Sequence, residues 1–232
     1  MVHVDLHCHS RLSTDAWTAP DQIVRRAIDS GLDHIAITDH DRIATALELK
    51  AQYPEHVIVG EEIKCAGGTD LIALFISRVI PPKLSVRETA ERVRDQGGIV
   101  YAPHPYAYAT RPVRHAEEIL DFADVVEVFN SRAFLPWWNR RAMRAARDRG
   151  LPTAASSDAH FPHEFGRAYT EMPTFKGVDG FRESLLAARA VGLRTGSPWL
   201  HVGSMVLSGT RRLFPGMRGG RAVERAYQEA PF

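Results

Sequence analysis

Imidazoles and carboxylates recur in five short groups: Asp5-Leu6-His7-Cys8-His9, Thr38-Asp39-His40, Gly60-Glu61-Glu62, Ala102-Pro103-His104-Pro105 and Ser157-Asp158-Ala159-His160. Each group closes a short apolar run. Mixed nitrogen and carboxylate donors suit Zn, Mn or Fe and argue against a site for Ca alone. One tetrahedral ion takes four donors, and five histidines plus several carboxylates exceed that. More than one divalent ion is therefore expected. Ions held close together can carry a hydroxide nucleophile and neutralise phosphate oxygens, so phosphate-ester hydrolysis is the first chemistry to consider.

Strands must deliver these groups to one place. Side chains alternate along a strand, so positions i and i+2 share a face. On that rule His7 and His9 point together with Asp5 behind them, and His40 shares a face with Ala36 and Thr38. Glu62 goes with Ile58 and Gly60, His104 with Val100 and Ala102, Asn130 with Val126 and Val128, and Asp158 and His160 with Ala154 and Ser156. All lie at the C-terminal ends of their runs, where barrel enzymes assemble sites. Asp39 and Glu61 have the other parity and are expected to support the site, and Cys8 to be a buried inert thiol.

Periodicity predicts strands over 2–6, 35–37, 57–59, 99–102, 125–129 and 153–156, with a hairpin pairing 63–64 with 71–76 across Gly67-Gly68. Thr18-Ala19-Pro20-Asp21 and Ser85-Val86-Arg87-Glu88 read as capping boxes that start helices. Further helices are expected over 44–53, 117–122, 137–149 and 181–191, the last ended by Gly192. Strands alternating with helices imply a parallel sheet with right-handed crossovers. About seven of them, without a Gly-x-Gly-x-x-Gly turn, favour a closed α/β barrel over a dinucleotide fold. Residues 1–207 are expected to form that barrel and 208–232 a Gly- and Arg-rich tail.

The 232 residues carry 29 Lys and Arg against 28 Asp and Glu, a net charge of +1. No global field favours nucleic acid or an anionic membrane, which leaves only a short local groove for such a partner. Two cysteines make a disulfide framework unlikely and fit a reducing compartment. With no basic and apolar leader at the start, and no apolar run near ~20 residues, the expectation is a cytoplasmic protein.

The ordered series His-x-His, Thr-Asp-His, Gly-x-Glu, Pro-His-Pro and Ser-Asp-Ala-His, from residue 2 to about 175, resembles the polymerase and histidinol phosphatase (PHP) family of metal-dependent phosphoesterases, and in particular its small stand-alone members. That resemblance implies a distorted seven-stranded TIM-like barrel with three metals at the C-terminal rim. Carried over, His7, His9, Glu62 and Asp158 hold a first ion. Glu62 bridges to a second that takes His104, and Asp15, His40 and His160 hold a third. Asp15 stands one residue later than the family's Ser-Asp-Gly would place it. Asp70 and Asn130 stand where relatives complete the second ion.

The activity so implied is hydrolysis of a small phosphate ester, such as a nucleotide or sugar phosphate, by metal-bound hydroxide, with Glu62, Asp158 and His160 in catalytic roles. Arg132, Arg167, Lys64 and Arg111 are candidates to clamp the phosphate. Rivals are an exonuclease-type phosphodiesterase on short nucleic acids, an amidohydrolase of non-phosphate bonds and a non-catalytic metal-binding module. The absence of a lysine at a bridging strand end disfavours the amidohydrolase.

Overall fold

The computed structural model describes residues 1–107 and 113–213. In chain order it has β1 (Val2–Cys8), α1 (Pro20–Asp29), β2 (His34–Ile37), α2 (Ala44–Gln52), β3 (Val57–Lys64), β4 (Asp70–Leu74), α3 (Val86–Arg94), β5 (Ile99–Ala102) and α4 (Val113–Leu120). There follow β6 (Val125–Asn130), α5 (Pro136–Arg149), β7 (Thr153–Ser156), β8 (Tyr169–Met172), α6 (Gly177–Leu185), β9 (Arg189–Val191) and α7 (Pro198–Leu213).

These strands form one sheet in the order β7-β6-β5-β4-β3-β2-β1-β8-β9. A parallel bridge from Cys8 to Ala159, just past β7, nearly closes it into a barrel. The expected seven strands are thus nine. The sheet is also mixed, because β4 runs antiparallel to β3 and β5, and β8 antiparallel to β1 and β9. The hairpin of β3 and β4 was legible at Gly67-Gly68, but the pair β8 and β9 was not. Their four and three residues are too short to show a period, and residues 189–191 continue an Ala-rich, helix-like run. Pairing of Arg189 and Ala190 with Glu171 and Thr170 overrides that propensity, so α6 stops at Leu185.

Two apolar layers hold the barrel. Inside it, Val4, Leu6, Ala36, Ile58, Ile72 and Tyr101 meet Phe181 and Leu185 of α6. Outside it, Ile35, Ile37, Val59, Val100 and Val126 pack under residues of α1 to α5. Of the two expected capping boxes, that of Ser85 and Glu88 is formed in full. Thr18 makes no cap; Ala19 precedes α1, and Pro20 alone marks its start.

The inner and outer layers also test the alternation rule. It holds on β2, β3 and β7, where Ala36, Ile58 and Ala154 face inward four residues before His40, Glu62 and Asp158. On β1 both Leu6 and His7 turn inward, because the register shifts between Asp5 and Cys8. On β5 and β6 the expectation is corrected, since Val100, Ala102, Val126 and Val128 face the helices. His104 still reaches the centre through a left-handed backbone (φ 28°), and Asn130 through a register shift between Glu127 and Phe129.

Gly60 lets β2 and β3 approach closely. A Cβ there would lie 2.9 Å from Thr38 Cγ2 and 3.1 Å from the Ala73 carbonyl oxygen. Gly60→Ala should therefore lower stability by about 1–3 kcal/mol and displace Glu62 two residues on. A urea midpoint equal to that of the wild type would contradict this.

Past β9, α7 crosses the expected 207/208 boundary, and its Arg211 is buried. The Arg211 guanidinium donates to the carbonyls of Arg11, Ser13 and Ala16 at 3.1, 2.9 and 2.8 Å. The start of the expected tail is thus an anchor for the loop that carries Asp15. Residues 214–232, and Arg111, lie outside the described residues.

Candidate metal centre

The strand ends converge on a buried cluster at the C-terminal rim. His7 Nε2 lies 3.1 Å from His9 Nε2, 3.4 Å from Glu62 Oε2 and 3.5 Å from Asp158 Oδ1. His9 Nε2 is 3.3 Å from the same Glu62 oxygen and 3.4 Å from the same Asp158 oxygen. Donors about 2.0–2.1 Å from one tetrahedral ion stand roughly 3.3–3.4 Å apart. Five of the six distances in such a set, all but the one between the two carboxylate oxygens, are close to that spacing.

Glu62 presents its other oxygen, Oε1, to His104 Nε2 at 3.3 Å. Asp70 contributes to the same neighbourhood and takes the Lys64 ammonium at 2.7 Å. On the opposite side Asp15 Oδ2 faces His160 Nε2 at 3.3 Å and His40 Nε2 at 3.5 Å. Glu62 Oε1 and Asp158 Oδ1 are buried with no hydrogen-bond donor among the described residues. Buried carboxylate oxygens without a donor, faced by imidazole nitrogens, are what a divalent ion satisfies. The donors fit the metals that their chemistry suggests.

A surrounding layer fixes the imidazoles. Glu127, which sequence reasoning did not single out, is fully buried and receives His7 Nδ1 at 3.2 Å, the Tyr101 hydroxyl at 3.1 Å, the His104 backbone N–H at 2.6 Å and Asn130 Nδ2 at 2.9 Å. It leaves His7 Nε2 pointing at the cluster, as a carboxylate behind a metal-bound histidine does. Ser13 Oγ stands 3.2 Å from His9 Nδ1 and donates to Asp39 at 2.7 Å, and Asp39 also accepts from Ser10. Asp39 thus has the supporting place expected of it. Glu61 is buried too, accepting from the Ile80 backbone, and burial pushes its carboxyl up to about 8.

Two candidates have protein partners of their own. Asn130 gives its amide to Glu127 and Asp158 while its Oδ1 accepts from the backbone of Arg132 and Ala133, so it braces the carboxylates instead of offering an oxygen. Arg132 is buried, with its guanidinium on Glu164 at 2.9 and 3.1 Å and on Ser204 at 2.9 Å. Glu164, also missed, in turn accepts the backbone N–H groups of His160 and Phe161. Arg167 bonds the carbonyls of His163 and Thr195. The sign that would have found Glu127 was its place in the middle of an apolar strand run, where a lone carboxylate needs several donors.

The cluster's electrostatics are divided. Burial alone would lower His7, but Asp158, Glu127 and Glu62 override it and hold the ring well above the ordinary histidine range. Glu62 and Asp15 do the same for His40. Burial and Arg132 oppose protonation of His160, yet Asp15 and Asp158 push it up to about 9. His9, buried beside His160 and His40, is lowered to about 4. Despite burial, His40 and His7 hold Glu62 well below the usual carboxylate range. A cation entering here displaces protons from the raised imidazoles. Apparent metal affinity should then rise with pH through about 9, where His160 releases its proton, and further as the raised His7 and His40 release theirs. Calorimetric titration with Mn in buffers of different ionisation enthalpy should show net proton release near neutrality, and a pH-independent affinity without it would contradict this.

The chain is also similar to known proteins. Residues 5–127, more than half of the 232, match the PHP domain family, and residues 136–190 match a PHP-associated family. The chain belongs to the PHP family. An uncharacterized protein of Methanocaldococcus jannaschii is 36% identical over 175 residues, covering 73% of this chain and 70% of its own length. A 5'-3' exoribonuclease of Haemophilus influenzae is 29% identical over 101 residues, 41% of this chain and 36% of that protein. Among solved structures, a two-domain protein from Bacteroides vulgatus containing a predicted PHP-like metal-dependent phosphoesterase superposes with a TM-score of 0.66 at 21% identity, covering 88% of this chain and 69% of that one. The histidine and carboxylate cluster of this PHP protein is thus set in a fold shared with that structure. Among the described residues no helix is long and apolar enough to cross a membrane.

Proposed function

We propose that this PHP-family chain hydrolyses a small phosphate ester, a nucleotide or a sugar phosphate, at a centre of three divalent ions. The observation that carries the reading is the convergence of the His7 and His9 ring nitrogens on one oxygen each of Glu62 and Asp158, with the second Glu62 oxygen turned to His104. Those four would hold one ion. Glu62, His104 and Asp70 would hold a second, and Asp15, His40 and His160 a third. Ions so held supply positive charge to phosphoryl oxygens and bring the pKa of a coordinated water toward ~7.

The chain's own residues do the rest. Glu127 and Ser13 keep the His7 and His9 rings aimed inward. His40 and Asp15, with side chains 38% and 26% exposed, are the solvent-facing edge of the cluster and mark where an ester enters. Asp158 and His160 stand next to that edge, and we assign to them the proton passed to the leaving oxygen. With Arg132 engaged by Glu164, phosphate charge is met mainly by the metal centre.

Release of inorganic phosphate from a panel of monoesters and diesters, with Mn, Zn or Fe added, tests the reading. Turnover of at least one nucleotide or sugar phosphate is expected, and its abolition by chelator. No turnover on any ester with any of these metals would overturn it. Similarity to an exoribonuclease favours a second reading, in which the ester is a diester of a short nucleic acid.

A further inference from the structure

Three arginines of α5, Arg140, Arg144 and Arg147, are exposed at a spacing of four and three residues, which places them on one helix face. They line an open groove of about 440 Å³ together with Phe129, Met143 and Leu193. Neighbouring cations of the helix region are engaged, Arg149 with Glu117 at 2.6 Å and Arg141 over the Tyr106 ring at 4.4 Å. Among the described residues Arg140, Arg144 and Arg147 have no carboxylate partner. Unneutralised charge gathered on one face of a chain of net charge +1 is a local feature, not a consequence of composition.

Arg140 and Arg147 are about 10 Å apart along the helix axis, a length that spans roughly three phosphates of a nucleic acid strand. The half-buried Phe129 ring beside them offers a stacking surface for a base. An acidic peptide would use the cations but has no general use for that ring. The groove is linked to the candidate metal centre by hydrogen bonds. Asn139, in its wall, exchanges hydrogen bonds with the backbone of Asn130, whose amide holds Asp158 at 3.2 Å. The geometry points to a binding site for a single-stranded oligonucleotide in this groove, its backbone on the three arginines and a base against Phe129. This favours the second of the two substrate readings, a short nucleic acid, and rests on the proposed phosphoesterase for the chemistry but not for the binding.

Fluorescence anisotropy of labelled RNA and DNA strands, about 12 nucleotides long and so within the ~4–16 nucleotides of known single-strand sites, tests it on the full chain with EDTA present. Both strands should bind, since phosphate and base face are common to them. The variant Arg140→Gln/Arg144→Gln/Arg147→Gln should bind at least about tenfold more weakly, with a log–log salt slope shallower by about 2, at ~0.7 for each phosphate no longer neutralised. Its turnover of p-nitrophenyl phosphate should equal that of the wild type, which also reports intact folding. If the triple variant folds poorly, Arg144→Gln alone should reduce the slope by about 0.7.

Unchanged binding and slope in the variants, or no binding by the wild type, overturns the proposal. So does equal weakening by the control Arg25→Gln/Arg26→Gln on α1, or equally tight displacement by polyglutamate. Strand binding without turnover of any phosphate ester would sink the proposed activity and leave the groove standing.

Discussion

Changing Glu62 to glutamine should remove more than one ion and cut phosphate-ester turnover by on the order of 10³-fold, since several kcal/mol of charge stabilisation depend on the ions and each ~1.4 kcal/mol is tenfold. The side chain keeps its volume, so the loss is one of charge. Glu62 Oε2 faces His7, His9 and His40 at 3.4, 3.3 and 3.0 Å, while Oε1 faces His104 at 3.3 Å. Among the described residues, no other carboxylate of the cluster divides its oxygens in this way. Asp158→Asn is the informative comparison, because Asp158 turns one oxygen to His7 and His9 and the other to Asn130. It should deplete one ion selectively. Elemental analysis of the two purified variants separates the cases, and a Glu62→Gln protein with wild-type metal content would refute the bridging role.

The second large effect concerns stability. Arg132→Ala should destabilise the fold by about 3–5 kcal/mol, the usual result of removing one partner from a buried ion pair. It leaves the Glu164 carboxylate buried under the His160 and Phe161 backbone and frees Ser204 of α7 from its donor. At ~2–4 °C per kcal/mol for a chain of this size, the midpoint should fall by on the order of 10 °C. A phosphate clamp behaves differently: its loss raises KM and leaves the melting temperature alone. Thermal unfolding and steady-state kinetics on one preparation distinguish the two, and an unchanged midpoint with a raised KM would restore the clamp.

The inward-pointing donors were legible because ligand-type residues at the ends of apolar runs have few other reasons to recur. His40 and Glu62 also obeyed simple alternation. His7, His104 and Asn130 reached the centre by backbone irregularities, a register shift or a positive φ, that no period in the sequence records. Glu127 and Glu164 escaped notice because their importance lies in what donates to them, from residues as much as 120 positions away along the chain. Strands β8 and β9 and the crossing of residue 208 by α7 depend on tertiary pairing, which short segments do not announce. The arginines of α5 were visible as an Arg-rich helix, but their common groove required β9 to be in place.

The most direct test of the metal centre compares the wild type with His7→Ala/His9→Ala. Both are purified, loaded with Mn, assayed for phosphate release and then analysed for bound metal. The structure predicts that the wild type binds ions and turns over an ester, and that the variant loses metal and activity together. A variant that kept full metal content and full phosphatase activity would contradict the account at its centre.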